Sequence, residues 1–156
     1  MAAFTSSATA PMSAVARRVA RRGIVQHLIA ADESSIAELQ ALLATLPICA
    51  IGRVFIEVPD ASWIGGLEVP GRMTLTWLDR SRHTGRVASG RCCSRGEALS
   101  RAVNAWADEM MCADDDQTTV FLLAGYLGTA DIVDHLGEHL GRGVDSLHVP
   151  AEYRLS

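Results

Sequence analysis

Apolar residues along this chain follow two patterns, one typical of buried strands and one typical of helices. Largely apolar runs at 24–30, 53–58 and 120–124 predict strands that are covered on both faces. The segment 73–78 alternates between apolar and polar residues and predicts a further strand, and a short last strand is expected at 145–149. The sequence therefore predicts five strands.

Between these strands, apolar residues recur at helical spacing in three segments. The first helix is predicted over 36–46, ended by Pro47, and Ser34 or Ser35 is expected to cap it, with Glu38 completing a capping box. The second helix begins at 97 and the third covers 129–141. The face that the second helix is expected to bury consists of Leu99, Val103, Trp106 and Met110.

Strands that alternate with helices indicate βαβ units and hence a mainly parallel sheet. Because such crossovers are right-handed, few topologies remain, and we predict an α/β fold with a doubly wound five-stranded sheet of order 3-2-1-4-5. A chain of 156 residues suits one domain. We expect a flexible N-terminal tail over 1–22 and a single α/β domain over 23–156.

Composition excludes several classes of protein. The net charge is −4 and no long basic stripe occurs, so we expect no binding of nucleic acid. All fourteen basic residues are arginine, which we interpret as compositional bias, with a phosphate-binding role for one or two at most. No apolar stretch is long enough to span a bilayer and no secretory core is present, so a cytoplasmic protein is expected. The cysteines lack zinc-site spacing, and no metal site is expected.

Four segments carry a resemblance to a known family: 31–37, 54–58, 76–80 and 121–126. In siderophore-interacting proteins, which are flavin-dependent ferric-siderophore reductases, the corresponding segments are a Gly-Asp-Glu-Thr-x-hydrophobic-Pro-Ala turn, an apolar strand, a Thr-Trp-Leu-x-Arg run and a Trp-hydrophobic-Ala-Gly-Glu run. Over roughly 24–155, the chain resembles the C-terminal NAD(P)H-binding domain of that family, which has a ferredoxin-reductase-like nucleotide-binding fold.

The resemblance implies a cofactor and a set of residues that hold it. NADPH or NADH is expected across the carboxyl ends of the first and fourth strands, where open α/β sheets bind ligands. In the family, hydride passes to a flavin and the electrons then reduce a ferric siderophore. The cofactor-binding candidates are Ala31, Asp32, Glu33, Ser34, Ser35, Asp79, Arg80, Ala124, Gly125 and Tyr126. No catalytic residue is assigned.

Several of these candidates have two possible roles. The turn 31–35 would direct backbone N–H groups and a helix N-terminus toward the pyrophosphate. Ser34 and Ser35 either donate hydroxyl groups to it or simply cap the helix. Arg80 either pairs with the 2′-phosphate of NADPH or is an ordinary surface arginine.

The chain also departs from the family pattern. Ala31 replaces a glycine and adds a Cβ where positive φ or close approach is expected. Asp32 and Glu33 would repel pyrophosphate unless they face elsewhere, toward the ribose or the flavin domain. Tyr126 replaces an acidic residue and would stack on nicotinamide or fill the cleft. The family's flavin-binding Arg-x-Tyr-Thr pattern does not occur in 1–23, so this chain alone is not expected to hold FAD.

Two functions follow from this mixture of match and departure. In the first, the chain is a stand-alone module of weakened or lost catalysis that acts by binding or by self-association as a homodimer. In the second, it is the NAD(P)H-binding half of a split ferric-siderophore reductase whose flavin is held by a separate protein. The replacements at Ala31 and Tyr126 favour the first.

Overall fold

The computed structural model of the protein describes residues 25–85, 91–111, 118–140 and 147–149. Five strands form one sheet in which every neighbouring pair is parallel. They are β1 (Gln26–Asp32), β2 (Ile51–Val58), β3 (Arg72–Asp79), β4 (Thr118–Leu122) and β5 (Leu147–His148). Their order, β3-β2-β1-β4-β5, confirms the predicted fold. The tail predicted at 1–22 lies outside the described residues.

Three helices cover the two faces of the sheet: α1 (Ile36–Thr45), α2 (Glu97–Met110) and α3 (Tyr126–Leu140). Because side chains alternate along a strand, β1 contributes to two cores. Ile29 belongs to the core that contains Leu39 of α1, whereas Leu28 belongs to the core that contains Leu99 of α2 and Ile132 of α3. None of the helices in the described segments is long and apolar enough to cross a membrane.

Several predicted boundaries are wrong. We predicted a break at Ala31, but β1 continues to Asp32 because these two residues pair with Ile56 and Glu57 of β2. β4 runs over Thr118–Leu122 rather than 120–124. α3 begins at Tyr126, three residues before the predicted start.

The predicted buried face of α2 is confirmed at three positions and wrong at the fourth. Leu99, Val103 and Trp106 are buried, whereas Met110 is 52% exposed at the last position of the helix. Ala107 is fully buried instead, one turn after Val103. The predicted capping box of α1 is also absent, since the cap residue makes no side-chain hydrogen bond to the helix.

Gly52 fixes the distance between β1 and β2 at the amino edge of the sheet. Its φ is +149°, and a Cβ built there would lie 1.9 Å from the carbonyl oxygen of His27. This position therefore accepts only glycine without movement of the backbone.

Candidate functional site

The carboxyl ends of the strands meet the N-termini of all three helices at one edge of the sheet. The strand order reverses between β1 and β4, the usual place for a ligand in such folds. A cavity of about 340 Å³ lies there. It is lined by Asp32, Ser34, Arg95, Gly96, Leu99, Ala124, Gly125, Tyr126, Leu127 and Gly128. Half of these lining residues are candidates named from the sequence.

Asp32, the last residue of β1, directs its carboxylate into the protein. Oδ2 accepts hydrogen bonds from the Gly125 amide at 2.9 Å and from Arg95 Nη2 at 3.1 Å, and Oδ1 accepts one from the Ser34 amide at 2.9 Å. Burial opposes ionisation of this carboxyl, but the donors from Ser34 and Gly125 and the charge of Arg95 hold its pKa below the usual value. The charge of Asp32 is thus balanced by the protein itself.

The two serines of the turn have different surroundings. Ser35 is buried, and its hydroxyl accepts a hydrogen bond from the Asp32 amide at 3.0 Å. Its side chain therefore stabilises the turn and makes no hydrogen bond to the amides of α1. Ser34 lines the cavity, and its hydroxyl oxygen lies 3.2 Å from Arg95 Nη2.

Glu57 of β2 is a site residue that sequence reasoning missed. Its side chain is fully buried, and the carboxylate accepts hydrogen bonds from the amides of Gly96 at 2.7 Å and Leu99 at 2.8 Å. It also pairs with Arg80 Nη1 at 3.1 Å. Glu57 thereby caps α2 from a neighbouring strand, where the helix dipole favours a negative charge.

Arg80 follows β3 directly and is mostly enclosed by carboxylates. Nη2 lies 3.3 Å from Oε1 of Glu33, and the side chain is only 15% exposed. Burial opposes its charge, but Glu57 and Glu33 raise the pKa of the guanidinium. Arg80 is therefore not a freely solvated surface arginine, and it joins the ends of β1, β2 and β3.

Five of the sequence candidates do not line the cavity: Ala31, Glu33, Ser35, Asp79 and Arg80. Ala31 is fully buried within β1, in the core shared with Leu39, so the expectation of a glycine-like turn at this position is wrong. Asp79 is buried at the end of β3, where Oδ1 accepts a hydrogen bond from the Ser81 amide at 2.9 Å. Its Oδ2 has no partner among the described residues.

The N-termini of α2 and α3 lie close together because two glycines face each other. Gly96 precedes α2 with a φ of +85°, and a Cβ built there would lie 2.5 Å from the amide nitrogen of Gly128. Ser100 bridges the two helices, since its hydroxyl oxygen is 2.9 Å from the Gly96 carbonyl oxygen and 3.2 Å from that of Gly128. Backbone rather than side chain therefore forms this wall of the cavity.

Arg95 and the first residues of α3 form the exposed rim. Arg95, a second residue missed from the sequence, has a side chain that is 48% exposed. Tyr126 and Leu127 are 48% and 66% exposed. Within the described segments, no group of three or more His, Cys, Asp and Glu residues is placed to hold a metal ion.

Comparison with known proteins shows which family this chain matches. The family model for siderophore-interacting proteins matches residues 24–150. An uncharacterized protein of Mycobacterium tuberculosis and one of Mycobacterium bovis are each 40% identical to this chain over 65 residues, which cover 42% of this chain and 23% of theirs. The chain thus matches less than a quarter of the length of these relatives.

Two solved structures have the same fold. The siderophore-interacting protein SipS from Aeromonas hydrophila is 14% identical with a TM-score of 0.58, and the match covers 80% of this chain and 49% of that one. A siderophore utilization protein from T. fusca is 21% identical with a TM-score of 0.59, covering 80% of this chain and 42% of that one.

Proposed function

The chain belongs to the siderophore-interacting protein family, and from this premise we propose that it binds NADPH or NADH in the cavity between β1 and β4. The observation that carries the proposal is that the carboxylates of the turn already have donors within the protein. Asp32 lines the cavity, but its carboxylate accepts hydrogen bonds from the Ser34 and Gly125 amides and pairs with Arg95. Glu33 pairs with Arg80, so neither charge is left free to repel a pyrophosphate. The replacement of the family's glycine by Ala31 does not argue against nucleotide binding either, because Ala31 lies inside β1 rather than in the turn.

The residues around the cavity suit such a ligand. Gly96, Gly125 and Gly128 expose backbone, which permits close approach, and Ser34 supplies a hydroxyl group. Tyr126 offers an aromatic ring at the first position of α3. The volume of about 340 Å³ is at the lower end for ligand sites and fits part of a dinucleotide.

When bound, the reduced nicotinamide supplies a hydride to an acceptor. The chain's own residues bind and orient the dinucleotide and exclude water from one side of it. The acceptor that we propose is a flavin held by a separate protein, with a ferric siderophore as the final oxidant. The solved relatives are more than twice as long as the segment they share with this chain.

Calorimetric titration with NADPH, NADH and FAD tests the proposal. We expect micromolar binding of at least one reduced nicotinamide dinucleotide and none of FAD alone. Gly125→Val would place a Cβ 3.3 Å from Asp32 Oδ2 at the cavity wall and weaken binding at least about tenfold, whereas Gly65→Val, at a position with open space around it, would leave it unchanged. Absence of binding at millimolar concentration would refute the proposal.

Arg80 is tested separately with the Arg80→Gln variant. If its guanidinium reads the 2′-phosphate, NADPH binding should weaken by about 1.5–3 kcal/mol, as expected for a charge-assisted contact, and NADH binding should hardly change. Equal effects on both dinucleotides, together with a lower unfolding temperature, would restrict Arg80 to its ion pairs with Glu33 and Glu57.

A second function, self-association with lost catalysis, is favoured by one observation. Tyr126 and Leu127 are adjacent exposed residues on the rim of the cavity, and Tyr126 replaces the family's acidic residue. If this edge joins two copies, sedimentation should show a homodimer that Leu127→Glu dissociates. A monomer that binds NADPH would exclude this function.

A further inference from the structure

Arg95 is the most accessible member of the charged cluster at the carboxyl edge. Its side chain is 48% exposed, whereas the side chains of its partners Asp32 and Glu33 are 4% and 16% exposed. Nη2 donates to Asp32 Oδ2 at 3.1 Å, and Nε lies 3.6 Å from Glu33 Oε1. Nη1 has no hydrogen bond to any described residue, so part of the guanidinium fork is open to a ligand.

Arg95 also lies where two cavities adjoin. The cavity of about 340 Å³ shares Arg95, Gly96 and Leu127 with a neighbouring cavity of about 540 Å³. The remaining lining of the second cavity consists of Gly85, Arg91, Cys92, Ser94, Glu97 and Asp131. A ligand that filled both cavities would have its middle beside the guanidinium of Arg95.

We propose that Arg95 exchanges its carboxylate partners for the diphosphate of the bound dinucleotide, with one nucleoside half in each cavity. This inference rests on the proposed function. A dinucleotide has two halves joined by a diphosphate, which matches two cavities that share one arginine. The planar fork of arginine binds phosphate oxygens in pairs, which makes it the suitable residue at that point.

The backbone beside Arg95 is bonded to the buried core, whereas the Arg95 side chain is half exposed. The Gly96 amide donates to the buried Glu57 at 2.7 Å, and Gly96 packs directly against the backbone of Gly128. Rotation of the Arg95 side chain therefore transfers its charge without moving α2. The backbone presents the guanidinium at a constant place on the rim.

The exchange leaves neither carboxylate without donors. Asp32 keeps the amides of Gly125 and Ser34, and Glu33 keeps Arg80. Asp32 and Glu33 thus pair with Arg95 in the absence of ligand, and they compete with the ligand's diphosphate for its guanidinium. This competition predicts that substitution of Arg95 weakens ligand binding and that substitution of Glu33 strengthens it.

Titrations with NADPH and with ADP-ribose, which retains the diphosphate without nicotinamide, test the exchange. Arg95→Gln should weaken both ligands at least about tenfold, as expected for the loss of a charge-assisted phosphate contact. Glu33→Gln, which removes a competing carboxylate, should strengthen both. Arg101→Gln is the matched control, because Arg101 is exposed on α2, pairs with Glu97 and lines neither cavity. Reduced nicotinamide mononucleotide, which lacks the diphosphate, should be affected equally by Arg95→Gln and Arg101→Gln.

The outcomes separate this inference from the proposed function. If wild-type protein binds neither NADPH nor ADP-ribose, the proposed function fails and the exchange fails with it. If wild-type protein binds but Arg95→Gln matches Arg101→Gln, only the exchange is refuted. Weaker binding by both Arg95→Gln and Glu33→Gln would also refute it, since Arg95 would then merely brace the turn. Thermal unfolding of each variant, with unchanged cooperativity, verifies that the fold is intact.

Discussion

The two edges of the sheet differ in chemistry more than in shape. The amino edge has the larger cavity, about 670 Å³, between the end of α1 and the segment 66–70, and Glu68 is the one charged residue among the described residues that line it. The carboxyl edge has a smaller cavity, of about 340 Å³. The charged side chains of Asp32, Glu57 and Arg80 all lie at this edge. In a parallel α/β fold the helix N-termini point to the carboxyl edge, where their dipoles stabilise buried carboxylates. The positions of fixed charges, rather than the volume of a cavity, thus distinguish the edge at which we propose the site.

The largest expected effect comes from the removal of Glu57. Glu57→Leu leaves the buried Gly96 and Leu99 amides and Arg80 without their acceptor, and it should lower the unfolding free energy by about 3–5 kcal/mol. The same change at Glu68, which is exposed beside the amino-edge cavity, should cost less than about 0.5 kcal/mol. Urea unfolding measures both, and similar losses would remove the distinction between the edges.

The amino edge has one position of comparable sensitivity, set by sterics rather than by charge. Gly52→Ala should lower the unfolding free energy by about 3 kcal/mol, because the added Cβ meets the His27 carbonyl and φ is +149°. Gly65→Ala, with open space around it, is the control and should change stability little. A tolerated Gly52→Ala would show that β1 and β2 can separate at this edge.

A smaller effect is expected from acid at the carboxyl edge. The pKa of Asp32 is lower in the folded protein than the usual 3.8, so its contribution to stability is present above pH 3.8 and disappears as the pH falls through the folded value. Unfolding free energies measured from pH 5 downward should therefore fall more steeply for wild type than for Asp32→Asn. Parallel curves would mean that the donors around Asp32, from Ser34, Gly125 and Arg95, do not stabilise its ionised form in the folded protein.

The smallest pH effect on stability is expected at the amino edge, from His27, whose side chain is positively charged when protonated. Burial lowers the pKa of His27 from 6.5, so the unfolded chain binds more protons just below pH 6.5 and stability falls as the pH drops there. His27→Leu should flatten the stability curve between pH 5 and 7, measured by urea unfolding. A slope unchanged by this substitution would assign the pH dependence to another group.

The order of the elements was predictable because it depends on local patterns and one general rule. Apolar runs and helical spacing placed the strands and helices, and right-handed crossovers then restricted the topology. The ends of the elements depend on distant partners instead. Ala31 and Asp32 continue β1 only because Ile56 and Glu57 lie beside them, and no local signal near residue 31 indicates this pairing.

The site was predictable where it lies at strand ends and not where it depends on the folded loop. Asp32 and Gly125 follow from their chain positions after predicted strands. Arg95 contacts Asp32 across 63 residues of sequence and looks like any other arginine of its loop. Glu57 did carry a signal, because a charged residue inside an otherwise apolar strand is seldom buried without dedicated partners.

The capping of α2 by Glu57 has a consequence for the motions of the molecule. Helix ends ordinarily fray, and their first amides exchange with solvent early. Here the Gly96 and Leu99 amides bond to a fully buried carboxylate, so they can exchange only when β2 and α2 separate. In hydrogen–deuterium exchange, the first turn of α2 should therefore be slower than its last turn at Met110. The edge of the sheet that we propose for ligand binding is thus the slower to open, and local opening of α2 begins at the far end of the helix.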